Sequence, residues 1–145
     1  MFERFYQPDS PFVYVRLSGV LDDFQVRQQL DEYNQEARGR TGILELADAR
    51  YVEDVDKVSV KGLVDSAGLE RGQSRVEGGK LAVVVRTPVQ YGLARAYTEI
   101  SSNFRDAVAV FYDFDEALRW LLPPDRIDDA RDFIASRPPP AGPAS

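Results

Sequence analysis

Hydrophobic and polar positions along this chain switch repeatedly between a period of two and a period near 3.6, the alternation expected of strands and helices in succession. Residues 1–6 predict a short edge strand, and Pro8-Asp9-Ser10-Pro11 is a turn signal. Residues 12–18 then alternate, with Val13, Val15 and Leu17 on one face and Tyr14, Arg16 and Ser18 on the other, as in a half-buried strand that Gly19 ends. Asp22 with Gln25 three residues on forms a capping box. Val26, Leu30, Tyr33 and Ala37 follow at helical spacing, so residues 23–38 predict an amphipathic helix whose exit Gly39 and Gly42 bracket. Residues 43–47 read as a short apolar strand. Val60, Leu63, Val64 and Ala67 line a second helix that Gly68 can stop, and 72–79 is a loop.

The last units carry the strongest pattern. Residues 81–85 are a continuous, β-branched run of the kind buried on both faces of a parallel sheet. Thr87 can cap the following helix and Pro88 suits its first position; Val89, Leu93, Ala96, Ile100 and Phe104 make its expected apolar stripe, with Tyr91, Arg95 and Ser102 on another face. Residues 108–111 predict the final strand. Asp113 and Glu116 form a second capping box, after which Phe114, Ala117, Leu118 and Leu121 dock a helix onto the sheet. The expectation is one α/β domain over 1–122: a mostly parallel mixed sheet of four to five strands, an antiparallel N-terminal edge and about four helices packed on it. Residues 123–135 predict a short C-terminal helix through Ile127, Ala130 and Ile134, and 136–145, RPPPAGPAS with its leading serine, a disordered Pro-rich tail.

Composition narrows the chemistry. At 145 residues a chain can bury roughly two-thirds of its unfolded surface, enough for a core without disulfides or metals. Cysteine and histidine are both absent, which removes thiolate zinc sites, Ser-His and Cys-His catalysis, and the side chain that titrates near neutrality. No catalytic residue, metal or cofactor is expected. A formal charge of −6, with no Lys/Arg cluster to offset it, argues against nucleic acid as a partner. No apolar run approaches the ~18 residues of a membrane span, and MFERFYQPDS lacks the basic-then-apolar layout of a signal peptide. A soluble, cytoplasmic protein is expected.

The element order, with the segments ELADARYVED, VQYGLARAYTEI and VFYDFDEALRWL, resembles the STAS domain superfamily, in particular its SpoIIAA-like (STAS/SEC14-like) branch. The resemblance implies a single-domain STAS/SpoIIAA-like fold and a regulatory, protein-interaction role. In anti-sigma factor antagonists of this type, switching rests on a serine just after the second parallel strand, in an Asp-Ser-Ser-Gly-Leu-type sequence. Asp65-Ser66-Ala67-Gly68-Leu69 has that form but lies well past the strand, at the end of the second helix, where helix capping explains it. Counted from Glu45-Leu46, the switch positions fall on 53–56, with Asp54 and Val55 as the switch equivalents and no hydroxyl to phosphorylate. Glu53, Asp54 and Asp56 there would imitate a permanent charge or simply favour a helix start.

Loops at the carboxyl ends of parallel strands converge, so Asp48, Arg50 and Tyr51 are expected near Arg86, Thr87, Gln90, Tyr91 and Arg95, a surface suited to an anionic group or a partner's carboxylate. The plainer reading has Asp48 pairing with Arg50 and the tyrosines completing the core. A phosphoacceptor receiver would need an acidic pair, an acceptor aspartate and a hydroxyl, which Asp22, Asp23, Asp48 and Thr87 imitate. One strand–helix unit and the lysine after the last strand are lacking. The reading is therefore a non-catalytic interaction module whose partner is a protein, a second copy in a homodimer included. The alternative is a small carrier of an apolar or lipid-like anionic ligand, which an internal cavity of roughly 300 Å³ or more would favour.

Overall fold

The computed structural model of the chain describes residues 1–140. Five strands, β1 (Phe2–Tyr6), β2 (Phe12–Asp22), β3 (Leu44–Lys57), β4 (Lys80–Val84) and β5 (Ala107–Phe111), alternate with α1 (Asp23–Glu36), α2 (Val60–Gly68), α3 (Pro88–Ser101), α4 (Phe114–Leu121) and α5 (Ile127–Ala135). The sheet order is β1-β2-β3-β4-β5, antiparallel at β1–β2 and parallel elsewhere. This is the mixed sheet with an antiparallel N-terminal edge that the periodicity predicts. The helix starts are fixed as read from the sequence: Asp22, Thr87 and Asp113 each accept from a backbone N–H three residues on.

Helices cover both faces of the sheet. On one, Phe12, Tyr14, Leu46, Ala82 and Val84 pack against α4 and α5 through Ala117, Leu118, Leu121 and Ala130. The other face carries Val13, Val15, Ala47, Leu81 and Val83 toward α1, α2 and α3. Tyr14 and Arg16 are therefore buried along with Val13 and Val15, and β2 is not the half-buried strand its alternation implies. The helices over 114–135 supply the second cover. α5 shares this core: Ala130 is fully buried, and Arg137 donates to the Phe133 carbonyl at 3.2 Å as the chain leaves the helix. Of the expected Pro-rich tail, residues 141–145 lie outside the described residues.

Three features differ from the sequence reading. β2 does not end at Gly19. It continues to Asp22 because Gly19 adopts a left-handed φ of 74°, and the register against β3 shifts there as in a bulge. β3 runs on to Lys57 alongside that extension, so 53–56 are strand residues and α2 begins only after Ser59. The third difference concerns α3, whose expected stripe is only partly turned to the sheet: Leu93 faces it and Val89 does not. Its buried residues are Gln90, Thr98 and Ser101, while Val89 is 64% exposed. Hydrogen bonds set that rotation: the Gln90 amide accepts from the Arg86 N–H at 2.9 Å and donates to the Val52 carbonyl at 3.4 Å.

Candidate functional site

The sheet divides the predicted site residues. On the α4 side, Asp48 is fully buried; its carboxylate accepts from the Tyr14 hydroxyl at 2.6 Å, from Arg50 Nε and Nη2 at 2.9 and 2.8 Å, and from the Arg50 N–H at 3.1 Å. Arg50 also lies over the rings of Phe114, at 4.2 Å, and Tyr51, at 5.6 Å. Burial pushes the Tyr14 hydroxyl pKa up, with the Asp48 charge adding to it, and the hydrogen bond to Asp48 holds the Arg50 guanidinium ionised. The carboxylate has no capacity left for a ligand. On the opposite side Arg86 donates to the Val52 carbonyl at 3.0 Å, Thr87 caps α3, and Tyr91 stacks on Tyr112 with centroids 5.2 Å apart. Arg95 is exposed one turn further along α3. Arg86, Thr87, Gln90 and Tyr91 thus form one group at the end of β4, and Asp48 with Arg50 a separate one.

What the carboxyl end does present is apolar surface. Val20 at the end of β2, Phe24 in the first turn of α1, Tyr51 in β3, Val60 and Val89 at the starts of α2 and α3, and Tyr112 after β5 are all exposed, Phe24 at 72%. Between them Asp23 clasps α2 to α1. Its carboxylate accepts from the Ser59 N–H at 2.8 Å and from the Ser59 hydroxyl at 2.6 Å, and Ser59 Oγ in turn accepts from the Gly62 N–H at 2.9 Å. A Cβ on Gly62 would land on that carboxylate, so the clasp in this geometry requires glycine there. Asp54 and Val55 sit within β3, so the first-turn charge of α2 comes from Asp23, not from 53–56.

Two features on the α1–α3 side have no counterpart in the sequence reading. The first is a cavity of about 130 Å³. Its floor is Val15, Ala47 and Val83, register partners on three adjacent strands; Leu30, Leu63 and Leu93 face it from α1, α2 and α3. The second is a buried charge cluster at the amino ends of the strands. Glu70 accepts from Arg105 Nη2 at 2.8 Å, Arg75 Nη2 at 3.2 Å, Ser101 Oγ at 3.3 Å and the Tyr97 hydroxyl; Glu45 lies 3.4 Å from Arg105 and 3.5 Å from Arg75. Arg75 also spans the Tyr33 ring at 4.0 Å. Burial raises the Glu70 pKa, but Arg105 and Arg75 outweigh it and hold the carboxyl below the usual glutamate range. Two acids and two arginines cancel, as a buried cluster must. The one sign of it in the sequence is Glu45, a lone acid in the apolar run ILELA.

No family model matches the chain, and no curated protein does. Among solved structures it is similar to an uncharacterised DUF3478-family protein with a SpoIIAA-like fold from Shewanella loihica PV-4, at 18% identity and a TM-score of 0.54 over 84% of this chain and 93% of that one. An anti-sigma factor antagonist from Mycobacterium paratuberculosis aligns over 83% of this chain and 94% of that one, at 13% identity and a TM-score of 0.48. The fold is SpoIIAA-like.

Proposed function

We propose that this chain is a non-catalytic regulatory module that binds a protein partner across the carboxyl end of its sheet. One observation carries the reading: the exposed large apolar side chains of the described residues gather at that end, Met1 among them through its bond to the Ser18 carbonyl. Exposed large apolar side chains at one end of a sheet are the kind of group an interface core uses. Two of the carboxylates nearby, Asp23 with Ser59 and Asp48 with Arg50, are committed to internal bonds, which supports binding over catalysis. No helix among the described residues is long and apolar enough to cross a membrane.

The module works without serine phosphorylation in this reading. Ser59 is the only hydroxyl at the α2 start, and its oxygen is engaged by Asp23 and Gly62. A phosphoryl group there would oppose the Asp23 carboxylate, which already supplies the negative charge that a helix N-terminus favours. The lipid-carrier alternative draws little support from a cavity of about 130 Å³, since drug-sized ligands occupy about 300 Å³ or more.

The test is a tagged chain purified from its native host beside a Phe24→Ser/Val89→Ser variant of unchanged melting temperature. The wild type should retain a partner in fixed stoichiometry that the variant loses. Sedimentation of each alone separates a second copy from a different protein. Equal retention by the variant, or a wild-type chain that is monomeric and unaccompanied, overturns the proposal.

A further inference from the structure

The cavity under α2 asks for an occupant of a defined kind. Central-strand residues facing a helix layer are normally sealed, yet Ala47 and Val83, mid-strand in β3 and β4, keep part of their surface accessible because the helices stand off the sheet above them. The walls are mostly aliphatic, with Phe2 and Tyr97 adding aromatic surface. The polar residues that border the space already spend their groups elsewhere: the Gln29 oxygen accepts from Arg4 at 2.7 Å, the Gln90 amide is bound at both ends, Glu45 faces Arg75 and Arg105, and the Tyr97 hydroxyl donates to Glu70. The Gln29 Nε2 is the one side-chain amide group there without a partner, too little to hold a charged head group. Water gains little there, because a buried water needs two to four polar partners.

We propose that this cavity is a binding site for one small, uncharged, apolar molecule, of the size of benzene or a short branched alkane. Its volume of about 130 Å³ is close to that of enclosed engineered aliphatic cavities, about 150 Å³, that take up benzene or xenon, while its own mouth is partly open to solvent. An acyl chain with an anionic head fits neither the volume nor the lining. The site is separate from the partner surface at the strand ends, so either proposal can fail alone.

The full chain is titrated with benzene, and separately equilibrated under xenon, while methyl NMR signals and the melting temperature are followed. Benzene should shift methyl resonances of Leu63, Val83 and Leu93 saturably, and raise the melting temperature by roughly 3–8 °C at ten times its Kd. Ala47→Ile, which places its added carbons in the space, should melt higher than wild type without ligand and lose the response. Leu93→Phe fills the same space from α3 and serves if Ala47→Ile does not fold. Decanoate is the contrasting probe and should leave both signals unchanged. Absence of any saturable response to benzene and xenon, an undiminished response in the filled variants, or a decanoate response at the same methyls overturns the assignment.

Discussion

Arg105→Met should be among the most destabilising single substitutions in this protein, although it exchanges a charged side chain for an apolar one of similar length. Arg105 faces Glu70 at 2.8 Å and Glu45 at 3.4 Å, and its side chain is essentially inaccessible. Without it two buried carboxylates share Arg75 alone, and the cluster carries an uncompensated negative charge. Stranding a buried charge costs about 3–5 kcal/mol, a large share of the ~5–15 kcal/mol that holds a domain together. Glu70→Gln strands the opposite charge. The double variant leaves Glu45 opposite Arg75, balanced at 3.5 Å, so its loss should fall short of the sum of the singles by at least about 1 kcal/mol. Urea unfolding followed through Trp120, the sole tryptophan, gives all four stabilities once the m-values agree. A loss below about 1 kcal/mol for Arg105→Met, or additivity within ~0.5 kcal/mol, would refute the account of the cluster as a mutually dependent unit.

Acid should act through the same cluster. The folded-state pKa of Glu70 is depressed, so its contribution is complete above the unfolded glutamate value and disappears as pH falls through the folded one; the wild-type urea midpoint should drop between about pH 5 and 3 more steeply than that of Glu70→Gln, and parallel profiles would contradict it. Leu118→Ala, at a fully buried site, should cost about 2–5 kcal/mol. Leu93→Ala should cost less than about 2 kcal/mol, because Leu93 is only partly covered and already borders empty space; equal urea midpoints for the two would mean that α3 packs as tightly as α4.

The sequence made the strand–helix order, the three carboxylate or hydroxyl caps and the antiparallel edge legible because each is a local signal: an alternation, a capping box, a Thr-Pro start. Misreadings came where a tertiary partner decides. Nothing near Val89 reveals that Gln90 will be drawn inward by the Val52 carbonyl, which leaves Val89 exposed at the start of α3. Gly19 reads as a stop, yet a left-handed glycine beside a long neighbouring strand becomes a bulge. The pairing of Asp48 with Arg50 was legible from their spacing, but not the further bond from Tyr14, 34 residues away. The charge cluster joins residues up to 60 positions apart, a separation at which spacing carries no information.

α2 rests on α3 and α1, with little direct contact to the strands, and its inner side looks onto the cavity through Leu63. A helix of nine residues is too short to persist alone, and this one borrows its order from two neighbours and from the Asp23–Ser59 clasp. It can therefore detach while the sheet, α4 and α5 stay folded. In hydrogen exchange, amides 60–68 should open as one cooperative unit at a free energy well below that of global unfolding. Detachment would widen a space that is already partly open to solvent, and with it the path into the α1–α3 side of the molecule.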